Sequence, residues 1–405
     1  PEHYWYYFQA NGKALTNGDN TNIALKTING KKYAFDEEGK MLYGWVAEDN
    51  AERIDNTDGD GFKEGDYYFG GEDDGAMTVG WLQMDITYDE ATNDYEIAPV
   101  FNEDEDQTRW FYFQSNGKKV KAKDGDVQKS KTINGKKYEF DVNGAMTAEW
   151  SLDVEKASND GVKDGNSTSS TNSVAAKYAK EWRYFSSVED GARVSKGWFK
   201  VVAAEYLNYD KYNDDEDAWY YADGSGNLYA GEFKTIKGKK YAFRNDGRMV
   251  DGLKFIQDNN GSLDVKADDD DDYPFDTEDD FIENAPYYEN ANYKCYYFGD
   301  GDDGSMKTNK INIDIDGDKF NFYFEKSGSK KGAGKTGEKD DKYYQSGMLL
   351  KAGKDEKYQV VKTLDPTIDK NDAGAGLKGY KKLDDVKTFL EELGMDTTSA
   401  YTTDP

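Results

Sequence analysis

Apolar and polar residues alternate in short bursts along this chain, and each burst closes at a turn signal. In Lys32-Tyr33-Ala34-Phe35 the period of two puts Tyr33 and Phe35 on one strand face, with Lys32 and Ala34 on the other. Asn29-Gly30, just before, is a two-residue hairpin loop, because a type I′ turn needs positive φ at both positions. The segment predicts a β-hairpin followed by a third short strand, with the next turn ending at Gly39 and Met41 to Trp45 closing the unit. The wording then returns. KTINGKKYAFDEEGKM from Lys26 becomes KTINGKKYEFDVNGAM from Lys131 and KTIKGKKYAFRNDGRM from Lys234, 105 and then 103 residues further on. A near-verbatim return at nearly fixed spacing identifies a repeat protein, and such arrays present extended surfaces more often than one catalytic pocket.

Two other unit types share this grammar. One starts at Tyr4, Arg109, Ala218 and Asn321, and the other at Gly65, Trp182 and Cys295. The three types follow one another in a fixed order three times, and a fourth round from Asn321 decays through Tyr343 to Met348. The expected fold is therefore all-β: a solenoid of short β-hairpin repeats in a three-unit super-repeat. Its rounds span residues 1–108, 109–217 and 218–320, followed by a degenerate round over 321–362 and a tail over 363–405. Acidic insertions separate the units at Asp89 to Asp106, Asp153 to Lys180 and Gln257 to Asn292, the last with five consecutive Asp from Asp268 to Asp272. They read as solvated loops. Near the end, Leu383, Val386, Phe389, Leu390 and Leu393 share one helical face, predicting one short C-terminal helix from Lys382 to Met395 that stops at Gly394.

Composition narrows the function. The net charge of −29 repels nucleic acid and anionic lipid. Aromatics make up 15% of the chain, 32 residues of it Tyr, which argues against wholesale disorder despite the acidity. With Cys295 as the one cysteine there is no intrachain disulfide framework, and no run of about 18 apolar residues predicts a membrane span. Pro1 reads as the start of a processed chain or of a fragment.

Gly-Trp followed later by Trp-Tyr-Tyr-Phe, and then by Gly and Met, resembles the choline-binding or cell-wall-binding repeat of Gram-positive surface proteins. The KTINGKKYAF wording is similar to the related glucan-binding and clostridial-toxin repeats. The resemblance covers most of residues 4 to 350, in about ten or eleven units. It implies a β-hairpin solenoid on a secreted, surface-attached bacterial protein. It also implies a ligand held between hairpins by three rings: the Trp of Gly-Trp, and the Trp and second Tyr of the next Trp-Tyr-Tyr.

Three places supply all three rings: Trp81 with Trp110 and Tyr112, Trp150 with Trp182 and Tyr184, and Trp198 with Trp219 and Tyr221. Such rings attract a quaternary ammonium by about 0.5–2 kcal/mol each, and flat sugar faces can stack on the same rings. Elsewhere the set is broken, with Asp66, Cys295 and Asn321 at the Trp position. The KTINGKKY units place Lys, Ala or Glu on that face and read as spacers. The triples depart from the family pattern in their gaps of 29, 32 and 21 residues, and Glu149 stands where Gly precedes the Trp. For each triple, packing between hairpins remains the alternative to ligand binding.

Calcium is a candidate ligand but no cofactor is required. Asn56-Thr57-Asp58-Gly59-Asp60-Gly61 resembles the start of a calcium loop, with Asp66 one residue short of the twelfth position. Asp314, Asp316 and Asp318 form a second candidate, beside Asp300 to Asp303, and ordinary turn formation explains both equally. Catalysis has little support: His3 is the one histidine, and Cys295 has no His near it in sequence. The expected function is non-catalytic binding of a cell-wall polymer or extracellular glycan. The alternative is a structural or adhesive surface protein that self-associates or binds a protein partner through the insert loops.

Overall fold

The computed structural model describes residues 2–56, 59–86, 100, 106–152, 176–266, 277–357, 359–364, 379–383, 390–391 and 394. The chain forms two compact units, Pro1–Asp217 with Tyr221–Leu228, and Ala218–Tyr220 with Tyr229–Pro405. It passes from one to the other within the strand Asp217–Ala222.

The first unit is a series of small antiparallel hairpins. Lys26–Ile28 pairs with Lys31–Tyr33, Trp45–Val46 with Tyr67–Tyr68, and Gly80–Ile86 with Gln107–Phe113. Lys129–Ile133 then pairs with Lys136–Phe140, and Glu149–Leu152 with Trp182–Phe185. In the second unit Glu232–Ile236 pairs with Lys239–Phe243, and Lys294–Tyr297 joins Leu253–Asp258 and Leu263–Lys266 in a three-stranded sheet. A five-stranded sheet follows, built on Asn309–Ile315 and Asp318–Phe324. The turns at Asn29-Gly30, Asn134-Gly135 and Lys237-Gly238 all have positive φ at both residues, as the two-residue loop requires.

One contact recurs between successive hairpins. Each hairpin carries a glycine and, two residues later, a position usually held by Met. The backbone N–H of that position donates to a carbonyl in the preceding hairpin. Met41 bonds Trp5, Met77 bonds Lys32, Lys119 bonds Asp66, Met146 bonds Trp110 and Arg193 bonds Lys137, each at 2.8 Å. In the second unit Met249 bonds Trp219, Met306 bonds Lys240 and Gly334 bonds Cys295, again at 2.8 Å. The side chain at the same position lies on the glycine of the hairpin that follows. A Cβ added at Gly75 would collide with Met41, at Gly117 with Met77, at Gly191 with Met146, at Gly304 with Met249 and at Gly332 with Met306. The glycines are thus seats for the neighbouring side chain as well as positive-φ turn residues. This fixed register absorbs insertions of very different length between hairpins.

Ala34, Glu139 and Ala242, on the ringless side of the KTINGKKY units, are buried, and Ala34 packs with Leu42, Val46 and Tyr67 from the chain that follows its hairpin. Two sequence expectations need correction. The insertion Gln257 to Asn292 is not all loop. It holds the strand Leu263–Lys266 and the helix Glu278–Asn290, whose Phe281, Ile282 and Ala285 pack with Phe255 and Phe322. Thr277 caps that helix, its hydroxyl accepting from Asp280 N–H at 3.1 Å. Finally, Lys382 and Leu383 end a strand, Gly379–Leu383, paired with Val360–Leu364, instead of opening a helix. Leu390 and Glu391 are helical; Val386, Phe389 and Leu393 lie outside the described residues, as do Asp268 to Asp272 and most of the other two insertions.

Candidate ligand-binding site

The 29-residue gap between Trp81 and Trp110 closes because their strands pair directly. Trp81 stands opposite Tyr112, and Gln83 opposite Trp110. Alternation sends Phe111 and Phe113 to the other face, where both are fully buried with Trp45 and Phe62. On the first face Trp81 meets Tyr112 edge-on at 5.1 Å and Trp110 at 6.2 Å. A fourth ring joins them from a KTINGKKY unit: Tyr138 lies 4.9 Å from Trp81. Trp81, Trp110 and Tyr112 are half-buried, and the Trp110 Nε1–H is enclosed with no hydrogen-bond partner. Burial raises the Tyr138 pKa, and the Asp190 carboxylate adds to the rise.

The second triple has the same register but a different environment. Trp150 pairs with Tyr184 and meets its ring at 5.2 Å, with Trp182 at 6.1 Å. Phe199 stacks on Tyr184 at 4.8 Å, and the Trp150 indole donates to the Val202 carbonyl at 2.8 Å. Trp182 is fully buried under Tyr178 and Trp150 is nearly so, which leaves neither ring face open to a ligand. Burial and the nearby Glu149 push the Tyr184 hydroxyl up to about 12. Glu149 itself adopts φ 54°, the left-handed conformation that Gly44 and Gly80 supply before Trp45 and Trp81.

In the third triple Trp198 meets Tyr221 edge-on at 5.1 Å, and both are half-buried. Trp219 belongs to the second unit, where its indole donates to Asp302 at 3.0 Å.

The sequence reading missed a fourth arrangement. Trp45 pairs with Tyr68 and meets it at 5.1 Å, the same spacing as in the three triples, and Phe111 lies 5.5 Å from it. Here a cation is already present. The Lys119 ammonium sits 5.1 Å from the Trp45 ring and 6.0 Å from Phe111, and donates to the Phe62 carbonyl. Lys119 is buried, and burial lowers its pKa to about 7. Gly44-Trp45 and Tyr67-Tyr68 were visible in the sequence; Asp66 at the Trp position hid the pairing.

Glycines of the calcium-like loop pack against Trp45. A Cβ at Gly61 or Gly65 would press on the Trp45 ring, at 2.9 and 2.7 Å, and Asn56 Oδ1 accepts from Phe62 N–H at 3.0 Å. Asp60 opens the short helix Asp60–Glu64, Asp66 pairs with Lys121 at 3.3 Å, and Asp58 lies outside the described residues. Asp316-Gly317 is the turn of a hairpin, with Asp314 accepting from Gly317 N–H at 2.9 Å and Asp318 paired with Ile315. Among the described residues no three acidic, His or Cys side chains converge as a metal site. Cys295 is buried in the second unit's core, and burial pushes its thiol pKa well up, the opposite of an activated nucleophile.

No family model matches the chain. It is 25% identical over 290 residues to Glucosyltransferase-S of Streptococcus mutans, an alignment covering 64% of this chain and 17% of that protein. The chain thus spans about a sixth of the curated relative it matches. Solved structures similar to it include the modular autolysin LytC of Streptococcus pneumoniae, at 15% identity and TM-score 0.36, covering 86% of this chain and 52% of the other. Choline-binding protein F of the same species is 20% identical at TM-score 0.31, covering 82% and 94%.

Proposed function

We propose that the chain is a non-catalytic binding module, on the surface of a bacterium, for a cell-wall polymer or extracellular glycan. The observation that carries this is the half-buried cluster of Trp81, Trp110 and Tyr112, in which the Trp81 ring stands steeply inclined to both of the others. Rings steeply inclined to one another can turn more than one face toward a quaternary ammonium, and the same faces suit stacking on a sugar. Trp198 with Tyr221 is a second half-buried pair. The partial match to a glucosyltransferase supports a glycan, and the buried Cys295 supports a module without its own chemistry. The hydrogen bond repeated from hairpin to hairpin supports a solenoid in three rounds of three units, at 1–108, 109–217 and 218–320.

The second reading, a structural or adhesive protein, draws on the dry packing of Trp150 and Trp182. Tryptophan fluorescence titrated with choline and with soluble α-glucan separates the two. Saturable change with one of them, lost in Trp110→Ala, supports binding; silence with both rules out the ligand reading.

A further inference from the structure

A cavity of about 300 Å³ opens within the second unit, between the end of the helix Glu278–Asn290 and the chain that follows the strand Asp318–Phe324. Its volume lies at the small end of the range for small-molecule sites. Glu289, on its wall, is the group that needs explaining. It stands in the last turn of its helix, a turn without a basic residue, where the helix dipole opposes negative charge. It is half-buried, and burial raises its carboxyl pKa. Its Oε1 accepts from the Thr336 hydroxyl at 2.5 Å and from the Ser346 hydroxyl at 2.9 Å. Oε2 has no hydrogen-bond partner among the described residues, and Glu289 forms no ion pair with them. Two exposed lysines on the same cavity, Lys294 and Lys330, also lack an ion pair among the described residues, whereas Lys335 meets Glu325 at 4.0 Å. The Lys330 charge is felt at Glu289, whose pKa it pulls down, but the two groups are not in contact.

Holding Thr336 and Ser346 to the helix needs no charge. A glutamine at 289 would accept from the same two hydroxyls through its amide oxygen. The carboxylate adds only a charge that burial and the helix dipole both oppose. A disfavoured carboxylate and two unpaired ammonium groups thus line one cavity. We propose that this cavity binds a free α-amino acid as its zwitterion, the ammonium against Glu289 and the carboxylate toward Lys294 and Lys330. A simple anion would be repelled by Glu289, and a simple amine by the lysines; a zwitterion answers both. The site is separate from the aromatic clusters, and the proposal does not rest on the ligand proposed for them.

The test follows the backbone amide signals of Gly334 and Thr336, both on the cavity wall, by NMR of the intact protein. L-alanine, D-alanine, L-glutamine and L-lysine are titrated in turn, and at least one should shift both signals saturably. The N-acetyl derivative of that amino acid lacks the ammonium and its amide lacks the carboxylate, so each should bind at least about tenfold more weakly. Glu289→Gln, still folded by its spectrum, should weaken the amino acid by at least about tenfold. The double variant Lys294→Gln, Lys330→Gln changes only exposed side chains; it should weaken the amino acid by a similar factor and leave its amide derivative unweakened. The proposal is overturned if none of the four amino acids shifts the two signals saturably. Equal binding of the N-acetyl or the amide derivative overturns it as well, as does undiminished binding by the double-lysine variant or by folded Glu289→Gln.

Discussion

Replacing Lys119 by Met should stabilise the protein at neutral pH, by an amount that shrinks as the pH rises. Met occupies the equivalent position at Met41, Met77 and Met146, and the Lys119 stem already covers Gly144 as those side chains cover their own glycines. The substitution therefore keeps the seat filled and removes a buried ammonium. Burial lowers the Lys119 pKa from 10.5 to about 7, with Lys121 pushing the same way and Asp141 and Asp66 opposing. At about 1.4 kcal/mol per unit, holding the charge costs about 4–5 kcal/mol. The Trp45 and Phe111 rings return about 0.5–2 kcal/mol each, and the Phe62 carbonyl returns part of the rest. A net gain of about 1–3 kcal/mol for Lys119→Met at pH 7 follows from these terms. The sign of the pH dependence comes from proton binding. Between the folded and unfolded pKa values the unfolded chain binds the proton and the folded protein does not, so wild-type stability rises with pH there. Below about pH 7 both states are protonated and the contribution is constant. Urea unfolding of both proteins at several pH values from 6 to 9 measures the difference and cancels the other titrating groups. The advantage of Met should fall by about 2 kcal/mol between pH 7 and 9. A difference that stays flat across that range, or a Met variant less stable at pH 7, would refute the reasoning.

The glycine seats predict unequal losses from one substitution. Gly75→Ala, which collides with Met41 at φ 66°, should cost about 2–4 kcal/mol, and Gly12→Ala, at φ 80° in open space, about 1 kcal/mol; equal shifts in thermal midpoint would deny the seats. Glu149→Gly should raise stability by about 0.5–1 kcal/mol by relieving a left-handed backbone, measured as the urea midpoint, and a loss would show that the Glu149 side chain matters more than its φ of 54°. Cys295 should react with a thiol reagent only as fast as the second unit opens, because its thiol is buried with a raised pKa; rapid labelling of the native protein would contradict that placement.

The hairpins were legible because their signals are local. Asn29-Gly30 and Asn134-Gly135 specify their turns, and the two-residue alternation assigned Phe111 and Phe113 to the core. Gly and Met recurring two residues apart was visible too, but its meaning was not, since each Met meets a glycine 26 to 55 residues away that only stacking brings near: Met306 reaches Gly332, and Met249 reaches Gly304. The helix Glu278–Asn290 was hidden by its acidic first turn and by Pro286, both of which also occur in solvated loops. At the aromatic triples the sequence named the rings and their partners but not their exposure. Trp182 is fully buried under Tyr178 and Trp150, whereas Trp110 is only half-buried, and nothing in Trp-Arg-Tyr-Phe against Trp-Phe-Tyr-Phe foretells that difference. The Lys119 cage was missed because the lysine lies 74 residues along the chain from the Trp45 it covers.

The central claim, that half-buried rings on these hairpins hold a surface polymer, is tested most directly by retention on that polymer. Wild-type protein, Tyr112→Ala and Trp110→Ala are each incubated with purified Gram-positive cell walls and with insoluble α-glucan, and the bound fraction is measured after washing. Wild type should bind one of the two and be released by the matching soluble ligand, while each variant, still folded by circular dichroism, should lose about tenfold or more in affinity, the equivalent of about 1.4 kcal/mol. Equal retention of all three proteins, or retention of none, would contradict the account.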